Sequence, residues 1–220
     1  MTHSPVRAVC FDLDGLMFNT EHVFFDAGGE LLRRRGHQMT VEVMNVLIGR
    51  RPHESFRALV EFLKLKDTPE ALLAESKEIY EAMLAERLAP MPGLFELLGQ
   101  IEARNLPKGV ATSSPRHYLQ AVLGRFDLLR RFAVTLTAED VVHGKPDPEI
   151  YLKAASAFGV EPGEMLVLED SHAGTTAAVA AGAHVVSVPH EFTAGHDFSG
   201  TRHVARSLQD PYLFRLLAAS

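Results

Sequence analysis

The chain of 220 residues contains a single cysteine, Cys10. One thiol excludes an intramolecular disulfide and any cysteine-rich zinc site, and it fits a reducing compartment, so a cytoplasmic setting is expected. Long basic runs are missing too. Lys and Arg total 22 against 28 Asp and Glu, a formal charge of -6, and no segment could neutralise a phosphate backbone, so nucleic acid is not an expected partner. No stretch approaches the roughly 18 uninterrupted apolar residues of a membrane helix. The opening MTHSPVRAVCFDLDG has no basic region followed by an apolar one, so neither an export signal nor a membrane span is expected. The histidines His22, His37, His53, His117, His143, His172, His184, His190, His196 and His203 form no close H-x-x-x-H pair, and His3 stands in the opening segment, which leaves no zinc-type motif. Internal repeats and low-complexity segments are absent. A chain that is 46% hydrophobic can nevertheless bury a sizeable core, as one large domain or one domain carrying an insertion. It is expected to be a monomer.

What is present is an ordered change of pattern. Val6 to Phe11 is a short apolar, β-prone run that stops at Asp12-Leu13-Asp14-Gly15, the signature of a buried strand entering a turn. From about Glu21 to Leu88 the apolar residues recur at helical spacing, with Pro52 and Pro69 placed to open helices. Beyond Pro90-Met91-Pro92-Gly93 short apolar runs alternate with helical ones. Strands are expected near 108–112, 132–136, 165–168 and 184–188, and helices near 94–103, from 115, over 148–158 and over 173–181. A terminal strand and helix are expected within about 203–217. This alternation predicts an α/β fold, a Rossmann-like doubly wound parallel sheet with helices on both faces. The first strand belongs to that sheet. Residues 1–18 and 90–220 therefore form the expected core, and residues 19–89 an inserted helical domain.

Ligands of such sheets collect where strands deliver their carboxyl ends. Asp12 and Asp14 come after the first strand, Thr112-Ser113-Ser114 after the second, Gly144-Lys145-Pro146 after the third, and Glu169-Asp170-Ser171 after the fourth. Four carboxylates converging on one crevice oppose one another unless a cation intervenes. Oxygen donors with room for water suit Mg²⁺ better than zinc. Read singly, each group has a plainer role. The aspartates could shape a turn, the hydroxyls or the Glu169-Asp170 pair could cap helices, and Lys145 could be a solvated loop lysine.

Taken together, FDLDGLMFNT, GVATSS, GKPDPEIY and LEDSHAG resemble, in order and across essentially the whole chain, the four motifs of the haloacid dehalogenase superfamily of aspartate-nucleophile phosphotransferases. The helical insertion resembles that family's cap. The resemblance implies Asp12 as nucleophile and Asp14 as acid and base. It implies Lys145, Thr112, Ser113 and Ser114 as partners of the phosphoryl group. Mg²⁺ would be held by Asp12, Asp170 and the Asp14 carbonyl, with Glu169 reaching it through water. A small phosphorylated metabolite is the implied substrate, read by the cap with hinges near 16–19 and 90–93. Arg50 and Arg51 are placed to meet its anion, whereas Arg33-Arg34-Arg35 is expected to be a solvated face. Dehalogenases proper lack the second aspartate and the metal pair. The β-phosphoglucomutase-like branch resembles the layout, but Pro52 stands where its cap arginine aligns and Phe24 where it carries a histidine. Those departures favour hydrolysis over phosphosugar mutation, and Asn19 departs from the common Asp of the first motif. The remaining alternative is a non-catalytic binding module.

Overall fold

The computed structural model describes residues 5–47 and 52–218. The chain divides into two compact units, Met1–Asn19 with Pro90–Ser220, and Thr20–Ala89. Strand β1 (Ala8–Phe11) opens the first unit. Four helices, α1 (Thr20–Arg33), α2 (Val41–Leu47), α3 (Pro52–Leu63) and α4 (Pro69–Arg87), make up the second among the described residues. Their apolar faces meet in one core containing Ala27, Leu31, Leu32, Val43, Phe56, Leu59, Leu72 and Ile79, as the helical spacing requires. Helix α4 starts where Pro69 cannot donate a backbone hydrogen bond, and the Thr68 hydroxyl accepts from Ala71 N at 3.2 Å.

The arginine run is only partly a solvated face. Arg33 and Arg34 pair with Glu30, and Arg34 also pairs with Glu75. Arg35 is 15% exposed and bonds Asp67 at 2.7 Å and Glu75 at 2.5 Å. It joins the end of α1 to α4, because a guanidinium can offer separate N–H groups to two carboxylates.

The first unit continues with α5 (Leu94–Glu102), β2 (Lys108–Ala111), α6 (Arg116–Gly124), β3 (Val134–Leu136), α7 (Glu149–Phe158), β4 (Met165–Glu169), α8 (His172–Ala180), β5 (His184–Ser187), β6 (His203–Val204) and α9 (Pro211–Ala218). The strands form one sheet in the order β3-β2-β1-β4-β5-β6, parallel throughout. Phe11 aligns with Val110 on one side and Leu168 on the other, so the three loops after β1, β2 and β4 leave the sheet at one level. Alternate residues of β1 and β4 point to opposite faces. Ala8, Cys10, Met165 and Val167 join α7 and α8 in a shared core, while Val9, Phe11, Leu166 and Leu168 are equally buried. Both faces are covered, which is why these strands read as continuous apolar runs rather than alternating ones.

Strand order reverses at β1, with β2 and β3 to one side and β4, β5 and β6 to the other. That is the switch point at which a doubly wound sheet opens a crevice. The two chain crossings between the units lie side by side in the first unit, where Phe18 bridges Pro90 and Met91 N donates to Met17 O at 2.8 Å. No helix among the described residues is long and apolar enough to cross a membrane.

Candidate active site

Asp12 stands one residue past β1 and extends its ladder, its N–H donating to Leu168 O at 3.0 Å. Its side chain is buried. Lys145 reaches it from the loop before α7. The ammonium donates to Asp12 Oδ1 at 2.5 Å, to Glu169 Oε1 at 2.6 Å and to Ala111 O at 3.0 Å. An ammonium has three N–H donors, and all three have acceptors. The lysine is therefore a buried, fully paired cation, 5% exposed, rather than a solvated one. Its ammonium also sits 5.0 Å from the centre of the Tyr151 ring, close enough for a cation–π attraction.

Glu169, the last residue of β4, is wholly buried. Oε1 accepts from Lys145 and from the Tyr151 hydroxyl at 2.6 Å. Oε2 accepts from Asp170 N, Ser171 N and Ser171 Oγ at 3.1, 3.3 and 3.1 Å. The carboxylate thus shapes the turn into α8 while it holds Lys145. Ser171, not the acidic pair, is the N-cap of that helix and accepts from Gly174 N at 3.1 Å.

Asp14 accepts from Ser114 Oγ at 2.7 Å and Thr112 Oγ1 at 3.3 Å. Thr112 Oγ1 also accepts from Ser114 N at 2.9 Å. These hydroxyls do not cap α6. Its first N–H, that of Arg116, is met by the Glu139 carboxylate at 3.1 Å. Ser113, between the two, is exposed.

Burial governs the electrostatics. Desolvation pushes the Asp12 carboxyl well above the ordinary carboxylate value. Lys145 draws it down, and Glu169, Asp170 and Asp14 push it up again. Burial opposes the Lys145 charge, but Asp12 and Glu169 outweigh it and hold the ammonium above its ordinary value. Oxygens of Asp12, Glu169 and Asp170 lie within 4.8 Å of one another. Lys145 pairs with Asp12 and Glu169, while Asp170 lies against His190 and Asp14 adjoins, so acidic groups outnumber basic ones in a poorly solvated place. The donor set is all oxygen, which fits a hard divalent cation.

The sequence profile of haloacid dehalogenase-like hydrolases matches residues 9–188. The chain is a haloacid dehalogenase-like hydrolase. Among its relatives, the validoxylamine A 7′-phosphate phosphatase of Streptomyces hygroscopicus subsp. limoneus is 36% identical over 87% of both chains. The phosphorylated carbohydrates phosphatase of Thermotoga maritima is 32% identical over 86% of this chain and 88% of its own. A crystal structure from Thermotoga maritima, provisionally named a beta-phosphoglucomutase, superimposes with a TM-score of 0.81 at 29% identity over 97% of each chain. The relatives place the hydrolase among the phosphatases, enzymes acting on phosphoric monoesters.

Several groups of the hydrolase's site escape a reading by motif. Tyr151 is a core residue of α7 whose hydroxyl meets Glu169. His190 Nε2 lies 3.0 Å from Asp170 Oδ2. His190 stands shortly past the carboxyl end of β5, the kind of position that singles out Asp12 and Asp170 on their own strands, and that placement is the signal that could have found it. Two glycines are required by contact. A Cβ on Gly174 would stand 1.8 Å from Glu169 Oε1, and one on Gly15, whose φ is +77°, would stand 2.6 Å from Asp170 Oδ2. Arg50 and Arg51 lie outside the described residues.

Proposed function

We propose that the chain is a Mg²⁺-dependent phosphatase that hydrolyses a small phosphomonoester, a sugar phosphate or nucleotide-like compound, through an aspartyl-phosphate intermediate on Asp12. The observation that carries this reading is the buried Asp12 carboxylate held by Lys145 at the end of β1, with Glu169 and Asp170 within reach of one ion and Asp14 tethered to hydroxyls of the second motif. The phosphorylated-carbohydrate relative supports the sugar-phosphate class.

A carboxylate nucleophile divides a difficult hydrolysis into two easier displacements. Asp12 attacks phosphorus, the ester P–O bond breaks, and Asp14 gives its proton to the departing alkoxide. Asp14 then takes a proton from water, water oxygen bonds to phosphorus, and the P–O bond to Asp12 breaks to release inorganic phosphate. Lys145, Thr112, Ser113, Ser114 and backbone N–H groups offset charge on the peripheral phosphoryl oxygens. Asp12, Asp170 and the Asp14 carbonyl, with Glu169 through water, would hold Mg²⁺, which supplies positive charge to the same oxygens. Both Glu169 oxygens already accept from protein donors, and this favours a second duty, the positioning of Lys145. Residues 19–89 act as the cap that reads the remainder of the substrate, with Arg50 and Arg51 meeting an anion. The enzyme works as a cytoplasmic monomer.

The test is phosphate release from p-nitrophenyl phosphate with Mg²⁺, with EDTA, and with Asp12→Asn. Turnover that requires the metal and is abolished in the variant is expected. Metal-independent turnover, or a variant equal to its parent, overturns the proposal. A phosphosugar mutase is the second reading, favoured by the Thermotoga maritima structure and opposed by Pro52 and Phe24. Glucose 1-phosphate separates the two, since free phosphate should appear faster than glucose 6-phosphate. A screen of phosphorylated metabolites then ranks substrates, and Arg50→Ala should alter KM across that panel more than kcat.

A further inference from the structure

We propose that His190 is a positioning residue for the metal-binding carboxylate Asp170, which it holds through its Nε2–H. The inference rests on the reading of Asp170 as a metal ligand. The imidazole is held at both nitrogens. Phe192 N donates to Nδ1 at 3.3 Å, so Nδ1 is the acceptor of a neutral ring and Nε2 carries the proton. Nε2–H then donates to Asp170 Oδ2 at 3.0 Å. Both side chains are 5% exposed, so water contributes little to the orientation of either.

The backbone beneath the ring is fastened separately. His190 N donates to Thr193 Oγ1 at 3.0 Å, and His190 O accepts from Thr193 N at 3.0 Å and Ala194 N at 2.8 Å. The imidazole therefore projects from a closed turn rather than from a mobile loop. The glycine of the first motif completes the arrangement. A Cβ on Gly15 would stand 2.6 Å from Asp170 Oδ2 and 2.8 Å from His190 Nε2, so the hydrogen bond crosses the space that a side chain at Gly15 would fill.

A carboxylate that binds an ion through oxygen gains affinity when its rotation is fixed in advance, because less freedom is lost on binding. His190 fixes the rotation of Asp170 about its Cβ–Cγ bond. Its donor is neutral, so it adds no charge to repel the cation. Groups that orient metal ligands in this way commonly contribute about 10- to 100-fold in metal affinity.

The test is calorimetric titration of the metal-free protein with Mg²⁺, with Mn²⁺ followed by electron paramagnetic resonance as a second probe. His190→Phe keeps a buried ring without the donor and should raise the Kd at least tenfold. His190→Gln places an amide N–H near Nε2 and should stay within threefold of the parent. Thr193→Val, a milder change that loosens the turn, should raise the Kd about threefold and serves should His190→Phe fail to fold. Parental Kd in both His190→Phe and Thr193→Val overturns the inference and leaves the metal reading intact. A parent that binds no Mg²⁺, or binds it as tightly after Asp170→Asn, overturns both.

Discussion

Glu169 shows how much a single buried carboxylate depends on its surroundings. It lies against Lys145, wholly enclosed, and is stable there because each oxygen has donors. The Tyr151 hydroxyl is one of them, and burial first, then the Glu169 and Asp12 charges, push its ionisation well above the ordinary phenol range, so it remains a donor. Tyr151→Phe leaves the ring beneath Lys145 and removes that one bond. The expected cost is about 1–3 kcal/mol, the usual penalty for a buried acceptor short of a donor, read as a lower urea midpoint with an unchanged slope. An unchanged midpoint would show that Lys145 and the backbone suffice. Cys10, one strand position from Asp12's neighbour Phe11, illustrates the opposite outcome. Burial pushes its thiol up to about 12, so it stays an inert core group, as its place in an apolar strand indicates.

At the scale of elements, the turn from β4 into α8 matters most, because the strand's last residue and the helix's first turn meet in contact. Gly174 lies in that first turn, where its missing side chain admits the Glu169 carboxylate. In an ordinary exposed helix, Gly→Ala stabilises by roughly 0.4–1 kcal/mol. Here the sign reverses. Gly174→Ala should destabilise by about 1–3 kcal/mol, as overpacked sites do, and should lower kcat by turning Glu169 away from Lys145. Thermal melts and turnover measured together check it, and a stabilised, fully active variant would refute the packing argument. The LEDSHAG motif carries this glycine by position, yet the reason for it is invisible until Glu169 is placed. The same holds for α6, whose cap is Glu139 although three nearer hydroxyls precede Pro115. Two of those hydroxyls, on Thr112 and Ser114, turn instead to Asp14, because a carboxylate is the stronger acceptor.

For the whole molecule, charge sets the response to pH. Glu30, paired to Arg33 and Arg34, Glu102, paired to Arg131 and Lys108, and Glu149, paired to Lys153, are each drawn from 4.5 down to about 2. A depressed carboxylate contributes stability that is fully present above its unfolded value and lost as pH falls through the folded one. Urea midpoints should therefore hold above pH 4.5 and decline toward pH 2, with both units affected, since Glu30 belongs to one and Glu102 and Glu149 to the other. A midpoint flat down to about pH 2 would show that these surface pairs contribute nothing. The fold was legible in the sequence because it rests on local periodicity. Short apolar runs that end in Asp12, Thr112 and Asp170 mark strands buried on both faces, and the helical spacing from Glu21 to Leu88 marks the insertion. Strand order, the sharing of Lys145 between Asp12 and Glu169, and the contacts of Tyr151 and His190 with site carboxylates 18 and 20 residues away were decided only by tertiary structure. Periodicity records which face of an element is buried, whereas a hydrogen bond between distant residues depends on where the assembled sheet delivers each strand end.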